Sequence, residues 1–136
     1  MNINEISVDN WVQVGTHQYY QVEEIRKDGN EYRIYLKGTS AFATLTEVKP
    51  ISLTPEFLLK NGFEEETDYY GYKVYSCLTE EYQLYVRLKE SNYTKGRYSF
   101  IHIEYGCISF DELPIDSVHE LQNILISCKI EKNIEV

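Results

Sequence analysis

The chain has 136 residues, of which 43% are hydrophobic, and a formal net charge of −9 at pH 7. This length suits one ordinary domain or two very small ones. A field of that sign repels phosphate backbones, so direct nucleic-acid binding is disfavoured. The start of the chain lacks the basic and apolar regions of a signal peptide, and no apolar run is long enough to cross a bilayer. Three widely spaced cysteines suit reduced thiols. The composition therefore predicts a cytoplasmic protein without a membrane partner.

The first 53 residues predict a small β subdomain. Residues 19–26 favour a strand, and Glu23-Glu24 interrupts its alternation, which indicates a β-bulge or a twisted edge. Asp28-Gly29-Asn30 is a strong hairpin turn. The return strand alternates cleanly, with Tyr32, Ile34 and Leu36 on one side and Glu31, Arg33 and Lys37 on the other. Short strands and tight turns of this kind are typical of an SH3-like small barrel or meander.

The stretch from Leu53 to Phe63 carries the clearest helix start and stop signals. Thr54 suits the N-cap, and Pro55 suits the first helical position, where a missing N–H costs nothing. Gly62 suits the left-handed position that ends a helix. This short helix separates two predicted subdomains, residues 1–53 and residues 54–136.

The second subdomain begins with this helix and continues as a β-meander and a terminal helix. Four segments alternate as strands within residues 70–110, and Asp111-Glu112-Leu113-Pro114 is expected to end the sheet after a short strand at Cys107–Phe110. Ser117 to Glu120 matches a capping box, and apolar residues follow at helical spacing to about Lys129. One face of this terminal helix is expected to pack on the meander. The predicted fold class is α+β, with an SH3-like N-terminal part, a central helix and a four-stranded antiparallel meander packed by the terminal helix.

Strand register predicts one candidate binding surface. If Leu84, Val86 and Leu88 share a core with Ile101 and Ile103, odd positions must pair with even ones. The opposite face would then carry aromatic and charged side chains. The candidate binding residues are Tyr75, Tyr85, Arg87, Tyr98, Phe100, His102 and Glu104.

Two interpretations of that face stay open. Aromatic clusters are usually buried, so the N-terminal block or a second copy of the chain would cover it. Alternatively it is a binding surface for a protein partner, since tyrosine and arginine give contact area with little loss of entropy.

Catalysis is not predicted. Cys107 lies five residues after His102, and His119 opens the terminal helix, but no nucleophile elbow or cysteine-protease pattern surrounds them. No two Cys or His residues have the close spacing of a zinc site, and no phosphate-binding glycine loop is present. The sequence therefore predicts no catalytic residue, no metal site and no cofactor.

The run Glu64-Glu65-Glu66 also has two interpretations. It suits a solvated turn or an edge strand. Alternatively, it belongs to an acidic surface that imitates DNA and inhibits a basic host protein.

Three segments together resemble a known family. They are Asn2 to Ile6 with Asn10-Trp11-Val12, Ile51 to Glu56 with Asn61-Gly62-Phe63, and Val118 to Asn123. The family consists of short uncharacterised proteins encoded by gut anaerobic bacteria and their bacteriophages. Asp9 stands where the family often has glycine. The resemblance implies a phage or mobile-element setting. The leading hypothesis is then a non-catalytic accessory protein that binds a protein partner, and a second copy of the chain is one candidate for that partner.

Overall fold

The computed structural model describes residues 1–67, 73–90, 97–105 and 108–136, and for residues 88–90, 97–103, 105 and 108–114 it describes the main chain alone. These residues form antiparallel sheets and two α-helices, which confirms the α+β class in its broad sense. A 3-10 turn at Ile3–Glu5 precedes them. The strands are β1 Trp11–Val14, β2 Gln18–Asp28, β3 Glu31–Leu36, β4 Phe42–Thr44, β5 Val48–Lys49, β6 Glu64–Thr67, β7 Lys73–Leu78, β8 Tyr82–Glu90, β9 Arg97–Tyr105 and β10 Ile108–Pro114; the helices are α1 Pro55–Lys60 and α2 Val118–Ser127.

The chain divides into two compact units. The first contains residues 1–52, residues 117–127 and Val136. The second contains residues 53–116 and 128–135. Each unit holds one five-stranded sheet. The boundaries 1–53 and 54–136 stay a prediction about independent folding domains.

The first sheet has the strand order β4-β3-β2-β1-β5 and is antiparallel throughout. Asp28 pairs with Glu31 across the predicted two-residue turn, in which Gly29 has a φ of +62°. Strand register shifts between Val22 and Glu24, which confirms the predicted bulge. Local turn chemistry therefore fixes the pairing of β2 with β3.

The first sheet must curl, because its two edge strands are close in sequence. Only residues 45–47 connect β4 to β5, a link that spans about 14 Å at full extension. Five flat strands would hold the edges about 19 Å apart. Among the described strands the two edges do not pair, so the sheet is not a closed barrel. Its buried core consists of Ile6, Val12, Val22, Ile34, Leu36, Ala43 and Val48.

The second sheet has five strands in the order β10-β9-β8-β7-β6, so the prediction of a four-stranded meander is wrong. The acidic run supplies the additional strand: Glu64, Glu65 and Glu66 lie in edge strand β6 and are exposed. Strand β10 continues to Pro114, past the predicted end of the last strand at Phe110. An exposed edge accepts charged side chains at no desolvation cost, and this explains how three glutamates form a strand.

Helix α1 begins and ends as predicted. The Phe57 amide donates to Thr54 Oγ1 at 3.1 Å, and Pro55 is the first helical residue. Gly62 has a φ of +83°, and the Phe63 amide then donates to the Leu58 carbonyl at 3.0 Å. The helix packs against β6 and β7.

Helix α2 begins at Val118 as predicted, but it belongs to the first unit. The expectation that its apolar face packs on the second sheet stays a prediction. Two side-chain amides explain its position: Gln122 Oε1 accepts from the Trp11 amide at 2.8 Å, and Asn123 Nδ2 donates to the Glu5 carbonyl at 2.9 Å. Within the described ranges, neither helix is long and apolar enough to span a membrane.

Candidate functional site

The register between β8 and β9 agrees with the sequence-based inference. Leu84 pairs with Ile103, and Val86 pairs with Ile101. Residues that pair directly in an antiparallel sheet lie on the same face. Leu84 and Val86 are fully buried, so this face belongs to the core of the second unit.

The opposite face collects most of the predicted binding residues. Tyr85 pairs with His102, and Arg87 pairs with Phe100. Glu104 pairs with Gln83, and Tyr98 pairs with Lys89. Both pairs lie on the same face of the sheet as Tyr85. We call this surface the second-sheet face; it comprises Tyr85, Arg87, Tyr98, Phe100, His102 and Glu104.

Tyr75 does not belong to the second-sheet face, contrary to prediction. It pairs with Val86 and therefore points to the core side, where its side chain is 0% exposed. Its hydroxyl has no hydrogen-bond partner among the described residues. Burial raises the pKa of Tyr75, with a smaller contribution from the Glu65 carboxylate.

The described side chains of the second-sheet face, on β8 and β9, are accessible. Tyr85 and Arg87 are partly exposed and Glu104 is exposed, whereas Ser76 and Val74 on the neighbouring strand β7 are 2% and 8% exposed. The side chains of Tyr98, Phe100 and His102 lie outside the described part of the structure. Tyr85 and Arg87 are thus the residues from which the geometry of this face is known.

The first sheet carries a second surface that the sequence analysis did not single out. Arg26 pairs with Arg33, and Tyr35 pairs with Phe42, so all four side chains share one face. The guanidinium carbon of Arg26 lies 4.9 Å from the Tyr35 ring centroid, and that of Arg33 lies 4.7 Å from the Phe42 ring centroid. The two rings are 5.7 Å apart. We call this surface the arginine–aromatic face, and it consists of Arg26, Arg33, Tyr35 and Phe42.

Each arginine of the arginine–aromatic face also holds a carboxylate. Arg26 Nε donates to Glu24 Oε1 at 2.7 Å, and Arg33 Nη2 lies 2.6 Å from Asp28 Oδ2. The hydrogen bond from Arg26 lowers the pKa of Glu24, and the same bond raises the pKa of Arg26. Ring contact on one side and a carboxylate on another restrict each guanidinium group.

The sequence contained enough information to find this surface. A two-residue turn at Gly29-Asn30 sets the pairing of β2 with β3. Counting back from that turn brings Arg26 opposite Arg33 and Glu24 opposite Tyr35. Only the position of Phe42 required the structure, because β4 has three residues and little pattern of its own.

The remaining reactive side chains are placed as structural residues. Ser117 Oγ lies 2.9 Å from His119 Nδ1, and both side chains are buried, at 3% and 2% exposure. A substrate cannot reach either group in this arrangement. Burial raises the pKa of the Cys128 thiol, which opposes formation of a thiolate nucleophile. Cys107 lies outside the described residues.

A hollow beside the β7–β8 turn is lined by polar and acidic side chains. They are Thr79, Glu80, Glu81, Tyr82, Gln83 and Glu104. Nowhere in the described ranges do three or more His, Cys, Asp or Glu side chains lie together as potential metal ligands. Comparisons of the chain with known protein families, with curated proteins and with solved structures give no match.

Proposed function

We propose that the protein is a non-catalytic, cytoplasmic accessory protein of phage or mobile-element origin that binds a protein partner through the second-sheet face. The supporting observation is the β8–β9 register, which lines up Tyr85 with His102 and Arg87 with Phe100. Tyrosine and arginine are enriched among the residues that dominate binding energy at protein interfaces. The curled first sheet, with its short strands, is on this proposal an SH3-like support.

The exposure of individual residues supports this choice of face. Tyr85 lies on the middle strand of the sheet and is partly exposed, although central strands are usually the best covered. Its hydroxyl donates to Gln83 Oε1 at 3.3 Å, so the ring is oriented before any partner arrives. An oriented aromatic side chain loses little conformational entropy on binding. The partner is a protein surface, and a second copy of the chain is one candidate.

The test compares Tyr85→Ser with Tyr19→Ser, a matched change at a tyrosine that is 44% exposed in the first sheet. Affinity capture from host lysate should lose its specific protein with Y85S and keep it with Y19S. Sedimentation of the purified protein would show whether that partner is a second copy. Glu104→Arg reverses a charge on the same face at an exposed position and should also abolish capture. Equal capture by all variants would refute the proposed face.

A second candidate function is inhibition of a basic host protein by an acidic surface. The observation in its favour is that Glu64, Glu65 and Glu66 are all exposed on edge strand β6. Capture would then be lost at high salt, because exposed charges are screened. It would also be lost when these glutamates are replaced by glutamine, while Y85S would have no effect. A partner held by aromatic contacts would stay bound at high salt and after the glutamine substitutions, and would be lost with Y85S.

A further inference from the structure

We propose that the arginine–aromatic face is a second binding surface, and that it binds an acidic segment of a partner protein through aspartate or glutamate carboxylates. This surface belongs to the first sheet, whereas the proposed function uses the second sheet. The inference therefore stands independently of the second-sheet face.

The first argument is the orientation of the two guanidinium groups. Each lies over an aromatic ring, at 4.9 Å for Arg26 on Tyr35 and at 4.7 Å for Arg33 on Phe42. A flexible arginine loses side-chain entropy when it binds, and contact with a ring reduces that loss beforehand. The face is therefore organised for binding before a ligand is present.

The second argument is that these groups are accessible. The side chains of Arg26 and Arg33 are 60% and 40% exposed, and Phe42 is 44% exposed. A guanidinium has five N–H donors. Arg26 interacts with the Glu24 carboxylate and the Tyr35 hydroxyl, and Arg33 interacts with the Asp28 carboxylate; the exposure of both side chains leaves other donors accessible to solvent or to a partner.

The third argument identifies the ligand chemistry. Guanidinium groups match carboxylates in shape and charge and bind them through two parallel hydrogen bonds. Glu24 and Asp28 already occupy one position on each arginine, and both carboxylates are exposed, at 47% and 59%. A carboxylate from a partner can take their place with little desolvation. The exposed Phe42 ring adds apolar contact beside the charges.

A protein segment fits this surface better than a nucleic acid. Residues 1–52 carry seven acidic and five basic side chains, and their net charge of −2 opposes every long polyanion, both a phosphate backbone and a long acidic run. An acidic peptide brings a few charges to two defined positions. Aromatic residues next to its carboxylates would contact Tyr35 and Phe42.

The experiment measures binding of a short fluorescein-labelled peptide of alternating Asp and Tyr residues to the full-length protein. The same peptide with Asn in place of Asp is the ligand control, and single-stranded oligothymidine is the nucleic-acid probe. Arg26→Gln should weaken Asp-Tyr binding about tenfold, as expected for the loss of a charged hydrogen-bonded pair. Lys49→Gln removes an equal charge from an exposed site elsewhere in the first sheet and should leave binding unchanged.

Glu24→Gln gives the sharpest test. It removes the carboxylate that competes for Arg26, so affinity for the Asp-Tyr peptide should rise while R26Q lowers it. Y85S should not alter this binding, which separates the result from that for the second-sheet face. The inference is overturned if the Asn peptide or oligothymidine binds as tightly as the Asp peptide. It is equally overturned if K49Q and R26Q weaken binding alike, or if E24Q weakens it.

Discussion

His119 is the residue whose position carries the clearest consequence for stability. Its ring is 2% exposed and Nδ1 lies 2.9 Å from Ser117 Oγ, while Nε2 has no hydrogen-bond partner among the described residues. Removal from water lowers the pKa of His119, and the amino terminus acts in the same direction. The carboxylates of Glu120 and Glu5 oppose this shift. The imidazole is therefore held neutral in the folded protein.

Acid should therefore destabilise the fold through His119. The folded pKa lies below the unfolded value of 6.5, so the unfolded chain takes up the proton first. This contribution to stability is fully present above the unfolded pKa and is lost as the pH falls toward the folded pKa. The free energy of unfolding, measured with urea, should fall between about pH 7.5 and about pH 5.5 in the parent protein. In His119→Gln it should fall by a smaller amount over the same range.

The matched control for this titration is His17→Gln at an exposed position. H17Q should keep the pH dependence of the parent protein. An H119Q variant whose unfolding free energy falls as steeply with acid as that of the parent would contradict the assignment.

Single-residue features were predictable where the signal is local. The cap at Thr54, the glycine at Gly62 and the bulge at Glu23-Glu24 depend on neighbours a few residues away, and all three are present. The side of the sheet occupied by Tyr75 was not predictable in the same way. It depends on which residue of β8 lies opposite, and residues 79–81, which connect β7 to β8, contain no glycine or asparagine that would fix this pairing.

Among the elements, α2 shows how polar side chains place a helix. Gln122 accepts from the Trp11 amide and donates to the Asp9 carbonyl at 3.2 Å. Asn123 donates to the Glu5 carbonyl and accepts from Asn10 Nδ2 at 2.9 Å. The turn before β1, at Glu5 to Trp11, thus receives hydrogen bonds from a helix more than one hundred residues later in the chain.

Replacing these amides should weaken the first unit. Gln122→Ala and Asn123→Ala each remove two hydrogen bonds, and we expect each to cost about 1–3 kcal/mol of unfolding free energy. Trp11 is the only tryptophan, so its fluorescence reports the loss directly during urea unfolding. Ser127→Ala changes an exposed polar residue of the same helix and should be neutral. Stability unchanged by Q122A and N123A would show that apolar packing alone positions α2.

The apolar pattern of α2 predicted the helix and its starting residue but not its neighbours. Leu121 and Leu125 are buried as expected from their spacing, but any apolar surface could bury them, so they do not specify the neighbour of the helix. The information on placement lay in Gln122 and Asn123, which match specific main-chain groups. Hydrogen-bond partners so distant in sequence leave no periodic signal.

The whole molecule is organised as two units, and the first is discontinuous in sequence. It combines residues 1–52 with residues 117–127. Val118, Leu121 and Leu125 of the later segment are 0–2% exposed. The first unit therefore includes a helix that a boundary near residue 53 would exclude.

A fragment of residues 1–52 should accordingly fail to unfold cooperatively. Joining residues 117–127 to it through a flexible Gly/Ser linker should restore a single urea transition in Trp11 fluorescence, because Gln122 and Asn123 of the helix supply hydrogen bonds to the turn before β1. The linked fragment carrying both Q122A and N123A is the control and should be less stable. Cooperative unfolding of residues 1–52 alone would show that the helix is dispensable.

At this scale the sequence predicted the broad α+β class and the β8–β9 register that defines the second-sheet face. Both follow from alternation and turn signals within a few tens of residues. The arginine–aromatic face was overlooked because its aromatic and charged residues alternate like any exposed strand. Its chemistry appears only when Arg26, Arg33 and Phe42 from three strands are brought side by side.

The edge strands of the two sheets determine whether a strand from another protein could pair with them. Strands β4 and β5 have three and two residues, β6 carries three glutamates, and β10 has an irregular register and ends in a proline, which lacks an N–H. Such edges resist extension by a foreign strand. Strand addition uses main-chain groups that every protein shares, whereas binding to a sheet face depends on its individual side chains. On the proposals made above, single substitutions on a face would change the partner without altering the fold beneath it.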